Sequence, residues 1–240
     1  MTEFEIELEI FRKEEESAQQ FFFSYLSVRL LAARNTKVLS TMNENPLFWI
    51  TAHYSMLVAA FVALGRIFDQ GSKHNLDSLM GLVSRNMSIF SLEALRARKE
   101  ASISAAEAAQ YIIGKHALTS DDVKRLRKQI DIRRGIYEHR YRDIRHKVFA
   151  HKATADVTEI EAMYAKTNIE EMKSLFGFLQ ALYDALWEAF HNGRKPDVTP
   201  YQFDLSKPLP RRRSLRPGET VFYEGQTALL SMLPQTERGP

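Results

Sequence analysis

The stretch TNIEEMKSLFGFLQALYDALWEAFHNG, residues 167–193, indicates the fold class more clearly than any other part of the chain. Thr167 and Glu170 have the Thr-x-x-Glu spacing of a capping box, whose side chains satisfy free backbone N–H groups at the start of a helix. Apolar residues then recur at steps of three and four, which is the period of an amphipathic helix. Asn192 and Gly193 suit the left-handed conformation that ends helices. The stretch therefore predicts a helix with a wide buried face.

The same helical period returns in three other segments, and strand signals are almost absent. The first segment covers residues 2–34 and, at about 1.5 Å per residue, is long enough to extend beyond a compact core. After a polar break at residues 35–45, the second runs over residues 46–68, and the third, which is strongly basic, over residues 119–151. Short helical pieces connect the second and third segments. Four principal helices predict an all-α, up-and-down helical bundle with a long N-terminal helix.

The second helix contains an uncharged run, residues 47–65, that has the length of a membrane span. His53 and Ser55 interrupt this run, and we expect instead a central helix that is buried on all sides. The acidic start of the chain lacks the features of a signal peptide. The chain has no cysteine, which excludes disulfides and thiolate zinc sites. These features predict a cytoplasmic protein without a membrane partner.

The composition changes after residue 193, because seven of the eight prolines lie between residues 196 and 240. Such segments rarely form regular structure. We therefore expect a helical bundle at residues 1–193 and an extended, weakly structured Pro/Arg-rich tail at residues 194–240.

Positive charge is concentrated in one part of the chain. Residues 124–152 hold eleven Lys or Arg against three acids, a segment charge of +8 in a chain of net charge +3, so the remainder carries −5. This asymmetry predicts an acidic partner for one face, and nucleic acid is the commonest such partner. The cations near the end of the segment are the candidates for contact with its phosphates: Arg140, Arg142, Lys147 and Lys152.

One heptapeptide of the basic segment, RHKVFAH from Arg145 to His151, carries groups suited to phosphodiester chemistry. An imidazole transfers protons near neutral pH, and a guanidinium stabilises charge on phosphate oxygens. Arg145 and His151 lie about 120° apart on a regular helix, so two copies of the chain are needed to bring both to one phosphate. Taken singly, His151 is more often a packed histidine, and Arg145 is more often solvated or paired with an acid such as Asp69.

Other groups of residues give weaker indications of function. Arg66 and Asp69, at i and i+3 near the end of the second helix, are expected to form a buried ion pair that could support Arg145. The histidines lack His-x-x-x-His spacing, so no metal site is expected, and there is no Gly-rich phosphate loop. The glycines inside predicted helices are expected to be points of close packing: Gly65, Gly81, Gly135 and Gly177.

The heptapeptide resembles the Arg-x4-6-His motif of the HEPN superfamily, with five residues between the arginine and the histidine and a polar residue, His146, directly after the arginine. The end of the second helix, ALGRIFD at residues 63–69, and the pattern Arg-x-Lys-x-x-Ala-His are similar to the phage abortive-infection branch of that superfamily. The resemblance covers about residues 1–193, and the tail lies outside it.

The resemblance implies a dimerising bundle that, in many members, is a metal-independent endoribonuclease. The RNA 2′-hydroxyl would attack the adjacent phosphate, with His151 as general acid or base and Arg145 stabilising the phosphate charge. His146 would be a second proton-transfer group or a substrate contact, and no cofactor is implied. The implied partners are RNA, a second copy of the chain, and an antitoxin or regulatory protein. Ala153 replaces the tyrosine that many toxin members carry two positions after the histidine.

Some members of the superfamily keep the fold without cleaving RNA. The rival hypothesis is therefore a non-catalytic interaction module whose basic helix binds nucleic acid or an acidic protein. In that case Arg145 and His151 would serve packing and hydrogen bonding only.

Overall fold

The computed structural model describes residues 1–150, 167–205 and 215–233. Within these ranges every regular element is helical, so the predicted all-α class is confirmed. A 3₁₀ turn, Met87–Phe90, precedes α5, and a π-helix, Ile144–Ala150, follows α7. The α-helices in chain order are α1 (Glu3–Arg34), α2 (Thr36–Asn43), α3 (Pro46–Phe68), α4 (Leu76–Arg85), α5 (Leu92–Glu100), α6 (Ala105–Tyr111), α7 (Ser120–Arg140), α8 (Ile169–Asn192) and α9 (Pro217–Ser231).

The core lies between the long helices α1, α3 and α8. Helix α1 begins at a capping box formed by Thr2 and Glu5. The buried ring of Phe22 in α1 lies 5.0 Å from the ring of Phe176 in α8, centroid to centroid. Aromatic contacts of this kind contribute about 1 kcal/mol beyond the burial of their area. Helix α8 ends as predicted at Gly193, which has a φ of 58°.

Two helix boundaries differ from the prediction. The polar break contains α2, because the Asn35 side chain accepts hydrogen bonds from the first free N–H groups and Val38 is buried in the turn that follows. Helix α8 is capped by Asn168 and not by Thr167, since the Asn168 side chain accepts from the backbone N–H of Glu170 at 2.8 Å. Both differences arise where several polar residues in sequence could serve as the cap.

Helix α3 is buried only in its second half. Ala60 and Leu64 are fully buried, whereas Leu47 is 80% and Phe48 is 65% exposed. Among the described helices, α3 is the one long and apolar enough to cross a membrane, with a mean hydropathy of 1.8 over a window that is 22% buried. The prediction of a helix buried on all sides is therefore wrong, because α3 continues beyond the core. One such helix is weak evidence for a membrane span.

The C-terminal segment is more ordered than the sequence predicted. Pro217–Ser231 forms α9, which packs along α1. Glycines allow the close approach, since a Cβ at Gly225 would lie 3.2 Å from the Cβ of Ser27. The prediction of an extended, weakly structured tail is therefore wrong for α9. The remaining parts of that tail, residues 206–214 with the arginine run and residues 234–240, lie outside the described residues.

The sequence predicted one continuous basic helix over residues 119–151. The structure instead interrupts this helix at Tyr141. Helix α7 ends at Arg140, and Tyr141 follows with its ring fully buried. The Tyr141 hydroxyl donates to the carboxylate of Glu171 in α8 at 2.7 Å, which holds the chain against the bundle at this point. The chain then winds as the π-helix Ile144–Ala150. A π-helix changes the direction of successive side chains, and it is frequent at functional sites.

Candidate functional site

The candidate site lies where the end of α3 meets the π-helix. Arg145 rests directly on Gly65, where an added Cβ would lie 2.5 Å from the guanidinium carbon. The guanidinium forms an ion pair with Asp69, the residue that follows the last turn of α3. Its Nη1 also lies 3.5 Å from the hydroxyl oxygen of Tyr137 in α7. An ion pair with Asp69 was one of the two interpretations of Arg145 taken alone, and the structure confirms it.

The Arg145 guanidinium is only partly hydrated. Its side chain is 21% exposed and that of Asp69 is 19% exposed. Burial lowers the pKa of Arg145 from its ordinary value, and repulsion from Arg66 lowers the pKa further. Arginine nevertheless keeps its proton in proteins. The site therefore holds a cation with reduced hydration, whose charge is balanced in part by Asp69.

Arg66 has a different partner from the one predicted. Its Nε donates to the carboxylate of Glu14 in α1 at 2.8 Å, and its side chain is 48% exposed. The predicted buried ion pair between Arg66 and Asp69 is wrong, because Arg145 approaches Asp69 from a helix that is distant in sequence. Arg66 therefore acts on Arg145 only through its charge.

His146 is the imidazole nearest to the ion pair. Its Nε2 lies 4.0 Å from Oδ2 of Asp69, and its side chain is 40% exposed. Its Nε2 is shielded from solvent. Because histidine is the side chain that most often transfers protons near neutral pH, His146 is a candidate for that role. The structure thus brings together three of the predicted site residues: Asp69, Arg145 and His146.

The remaining predicted site residues either lie apart from the Arg145–Asp69 ion pair or lie outside the described residues. Arg140 pairs with the carboxylate of Glu171 at 3.1 Å. Arg142 and Lys147 are exposed. His151 and Lys152 lie outside the described residues, so their roles in catalysis and phosphate contact stay predictions.

Sequence patterns had limited power to identify the packing around the site. The expectation of close packing is confirmed at Gly65, and it is wrong at Gly135, where an added Cβ would meet nothing within 4 Å. Tyr137 and Glu14 were not singled out by the sequence. The only signal for Tyr137 was its position on the apolar stripe of α7, which shows burial but not the contact with Arg145.

A separate cleft of 790 Å³ lies between α1, α3 and the start of α8. Aromatic and aliphatic side chains form most of its lining, with Arg29 as the charged group. None of its described lining residues is an acid or a histidine, so the described part of the lining offers no carboxylate or imidazole for proton transfer. Within the described ranges, no three His, Asp or Glu side chains are grouped to hold a metal ion. Independence from metal stays a prediction.

The all-α bundle, in which the π-helix places Arg145 and His146 against the end of the apolar helix α3, agrees with the resemblance to the HEPN superfamily. The family model of AbiU2, a HEPN family associated with abortive infection, matches residues 1–207, and the chain belongs to that family. No curated protein and no solved structure matches the chain at a significant level. Family membership indicates a nuclease or defence-related role. The division of the chain at residue 193 stays a prediction.

Proposed function

We propose that this protein is an endoribonuclease-type effector, a toxin or a phage-defence protein, that cleaves RNA in the cytoplasm. The observation that supports this function best is the Arg145 guanidinium, held by Asp69 and Gly65 with His146 beside it. A fixed, partly desolvated cation stabilises charge that develops on a phosphate without first having to reorganise. Membership of a HEPN family associated with abortive infection supports the defensive role.

The proposed reaction requires two proton transfers and no metal ion. The RNA 2′-hydroxyl loses its proton to His151 and attacks the adjacent phosphorus, and the bond from phosphorus to the 5′ oxygen breaks. The leaving 5′ oxygen takes a proton from His146 or from water, which gives a 2′,3′-cyclic phosphate and a 5′-hydroxyl. Arg145 stabilises the charge on the phosphate oxygens. Asp69 orients Arg145 and leaves its other N–H groups available for the phosphate.

A second copy of the chain is part of this proposal, because Arg145 and His151 would come from different subunits. The surface of α3 supports such a contact. A groove runs along α3 between Tyr54 and Arg66, and its floor consists of small and apolar side chains. It ends one turn before Asp69, so a second α3 in this groove would bring the two sites near the two-fold axis. An antitoxin or regulatory protein that covers the same end would keep the effector inactive.

The rival function is a non-catalytic interaction module. The observation in its favour is that Asp69 already neutralises Arg145, as in a structural ion pair. The exposed cations of α7 would then bind nucleic acid or an acidic protein, with Arg145 and His151 serving packing and hydrogen bonding.

The test is cleavage of labelled single-stranded RNA by the full chain in the presence of EDTA. We expect fragments that end in a 2′,3′-cyclic phosphate, and no cleavage of DNA, which lacks the attacking hydroxyl. His151→Ala should lower the rate by about 100-fold or more, since one general acid or base contributes that much. Light scattering should give the mass of a dimer.

The matched control is His139→Ala. His139 is an exposed imidazole in α7, with Nδ1 2.6 Å from the carbonyl oxygen of Gly135. This variant should cut RNA at the wild-type rate. If His151→Ala and wild type give the same time course of RNA cleavage, the proposed enzymatic function is wrong. A change in stability or RNA affinity in His151→Ala, without any turnover in wild type, would support the interaction module.

A further inference from the structure

A second cationic feature lies on α7, away from Arg145. A groove of 600 Å³ runs between the first half of α7 and the segment 195–200 that follows α8. It is lined by four cations and two acids: Arg125, Lys128, Arg133, Lys195, Asp122 and Asp197. None of these residues belongs to the site described above. The sequence did not single out this groove, because its two walls are far apart along the chain.

The two acids of the groove are already occupied. Asp122 accepts from the backbone N–H of Thr119 at 2.9 Å and also pairs with Arg125. Asp197 accepts from the backbone N–H of Thr199 at 2.9 Å. Hydrogen bonds from Thr199 lower the pKa of Asp197, so it stays ionised while its oxygens face its own turn. Neither carboxylate neutralises the other three cations of the groove.

Arg133 is the most informative of those cations. Its guanidinium lies over the ring of Phe178, 5.2 Å from the centroid, and its closest polar contact is with the Gln129 side chain at 3.5 Å. Burial lowers the pKa of Arg133. Within the described part of the chain, no carboxylate forms an ion pair with Arg133, Lys128 or Lys195. A partly desolvated guanidinium without a counter-ion favours an anionic ligand.

The dimensions of the groove indicate an extended anion. Arg125 and Arg133 are about 12 Å apart along the helix axis, at 1.5 Å per residue. One small ion would leave most of this cationic length empty, whereas a strand with regularly spaced phosphates would occupy it. Arg140 is seven residues beyond Arg133, which places both on the same face of α7. The groove therefore leads toward the end of α7, and Arg145 follows five residues after Arg140 in the π-helix.

We propose that the groove between α7 and residues 195–200 binds the phosphate backbone of single-stranded RNA and directs the strand to the Arg145 site. This inference rests on the proposed function for the identity of the strand. Lys128, Arg133 and Lys195 contact the phosphates, so the groove contributes affinity without base specificity. Because these contacts release counter-ions, binding weakens as salt rises.

The test compares the full-length wild type with the double variant Lys128→Ala/Lys195→Ala. Both lysines are exposed, so the fold should tolerate their removal. Affinity for a labelled 30-nucleotide RNA is measured at several salt concentrations. We expect the dissociation constant to rise about tenfold, and the slope of its logarithm against log salt to fall by about 1.4, or about 0.7 for each lost phosphate contact. Cleavage of a dinucleotide, which is too short to reach the groove, should be unchanged.

The charge-matched control is Lys13→Ala/Lys124→Ala. It also removes two lysines, which lie outside the groove and pair at the surface with Glu9 and Asp121. Its affinity and salt slope should stay close to those of wild type. Equal effects from the two double variants would overturn the proposal, because the loss would then reflect net charge alone.

The outcomes separate this inference from the proposed function. If wild type cuts the dinucleotide and the groove variant binds long RNA as tightly as wild type, the groove proposal is wrong and the proposed nuclease activity is supported. If wild type cuts no RNA and the groove variant has lost affinity for long RNA, the groove proposal is supported and the proposed nuclease activity is wrong. If wild type binds no RNA at low salt, the groove proposal is wrong whatever the cleavage assay gives.

Discussion

Two carboxylates of the same bundle differ in how the cost of removing their charge from water is avoided. Asp69, at the end of α3, meets the guanidinium of Arg145 and forms an ion pair. Glu15, in α1, is fully buried and meets amides: Gln19 donates to its Oε2, and no described group is within hydrogen-bond reach of its Oε1. Burial raises the pKa of Glu15 to about 8. One carboxylate is therefore compensated as an ion, and the other remains neutral at pH 7.

The difference separates a region where polar groups serve packing from a region that carries charge. Near Glu15 the polar groups serve the packing of α1 against α8, since Gln19 also donates to the side chain of Gln180 at 3.2 Å. Near Asp69 the ion pair is partly buried, and under the proposed function its guanidinium is the group that contacts the phosphate. The neutral buried acid thus belongs to the packing of one region, whereas the other region holds a charged pair that is partly exposed.

The largest expected effect is on the pH dependence of stability through Glu15. Its pKa is 4.5 in an unfolded chain and about 8 in the folded protein, so between these values the folded state holds a proton that the unfolded state has lost. Stability should therefore fall as pH rises from 4.5 to 8, by up to about 1.4 kcal/mol per pH unit. Glu15→Gln should remove this slope in urea unfolding measured between pH 5 and pH 8.

The groups that face Glu15 determine how far its pKa is raised. Glu16 and Asp184 raise the pKa and Arg216 lowers it, each less than burial does. The control is Glu3→Gln, at an exposed position of α1, which should keep the wild-type slope. Parallel pH profiles for wild type and Glu15→Gln would show that Glu15 is ionised in the folded state.

The next effect is the loss of the ion pair. Asp69→Ala leaves the Arg145 guanidinium without its counter-ion in a partly buried site, and should lower the free energy of unfolding by about 2 kcal/mol at pH 7. The control is Glu14→Ala, which removes the partner of the more exposed Arg66 and should cost less than about 1 kcal/mol. Equal losses in thermal or urea unfolding would mean that the Arg145 pair is as weak as a surface pair.

The sequence predicted the helices well where their ends carry local signals. Thr119 caps α7 with a capping box, and Gly193 ends α8 in the left-handed conformation. Such signals are confined to four or five neighbouring residues, so they can be identified from one sequence. The predicted extended tail failed at α9, because that helix depends on glycines packing against α1, and such a contact has no local pattern.

The candidate site was predicted in composition but not in geometry. The heptapeptide containing Arg145 and His146 was identified from residue chemistry and resemblance. The pairing of Arg145 with Asp69 was one of the alternatives that the sequence offered for Arg145. The pairing of Arg66 with Glu14 was missed, because spacing along one helix favours the local pair of Arg66 with Asp69. The break at Tyr141 was also missed, since the apolar stripe continues through it and the contact of Tyr141 with α8 has no local pattern.

The smallest expected effect, and the sharpest test of the Arg145 contact, comes from two glycines in helices. Gly135→Ala meets open space and should stabilise the protein by about 0.5–1 kcal/mol, because alanine favours a helix more than glycine does. Gly65→Ala has the same helical gain, but its Cβ must displace the Arg145 guanidinium, whose long side chain can move. The net change in stability should therefore be within about 1 kcal/mol of zero, as measured by urea unfolding.

A double-mutant cycle then isolates the ion pair from the helical gain. If the Cβ at position 65 moves Arg145 away from Asp69, the pair is already lost in Gly65→Ala, and adding Asp69→Ala should cost less than about 1 kcal/mol instead of about 2. In a Gly135→Ala background, Asp69→Ala should keep its full cost, because Gly135 does not touch the pair. An unchanged cost in the Gly65→Ala background would mean that Arg145 does not depend on Gly65 to reach Asp69. The RNA-cleavage rate should fall in Gly65→Ala and not in Gly135→Ala, since a displaced guanidinium cannot stabilise the phosphate charge.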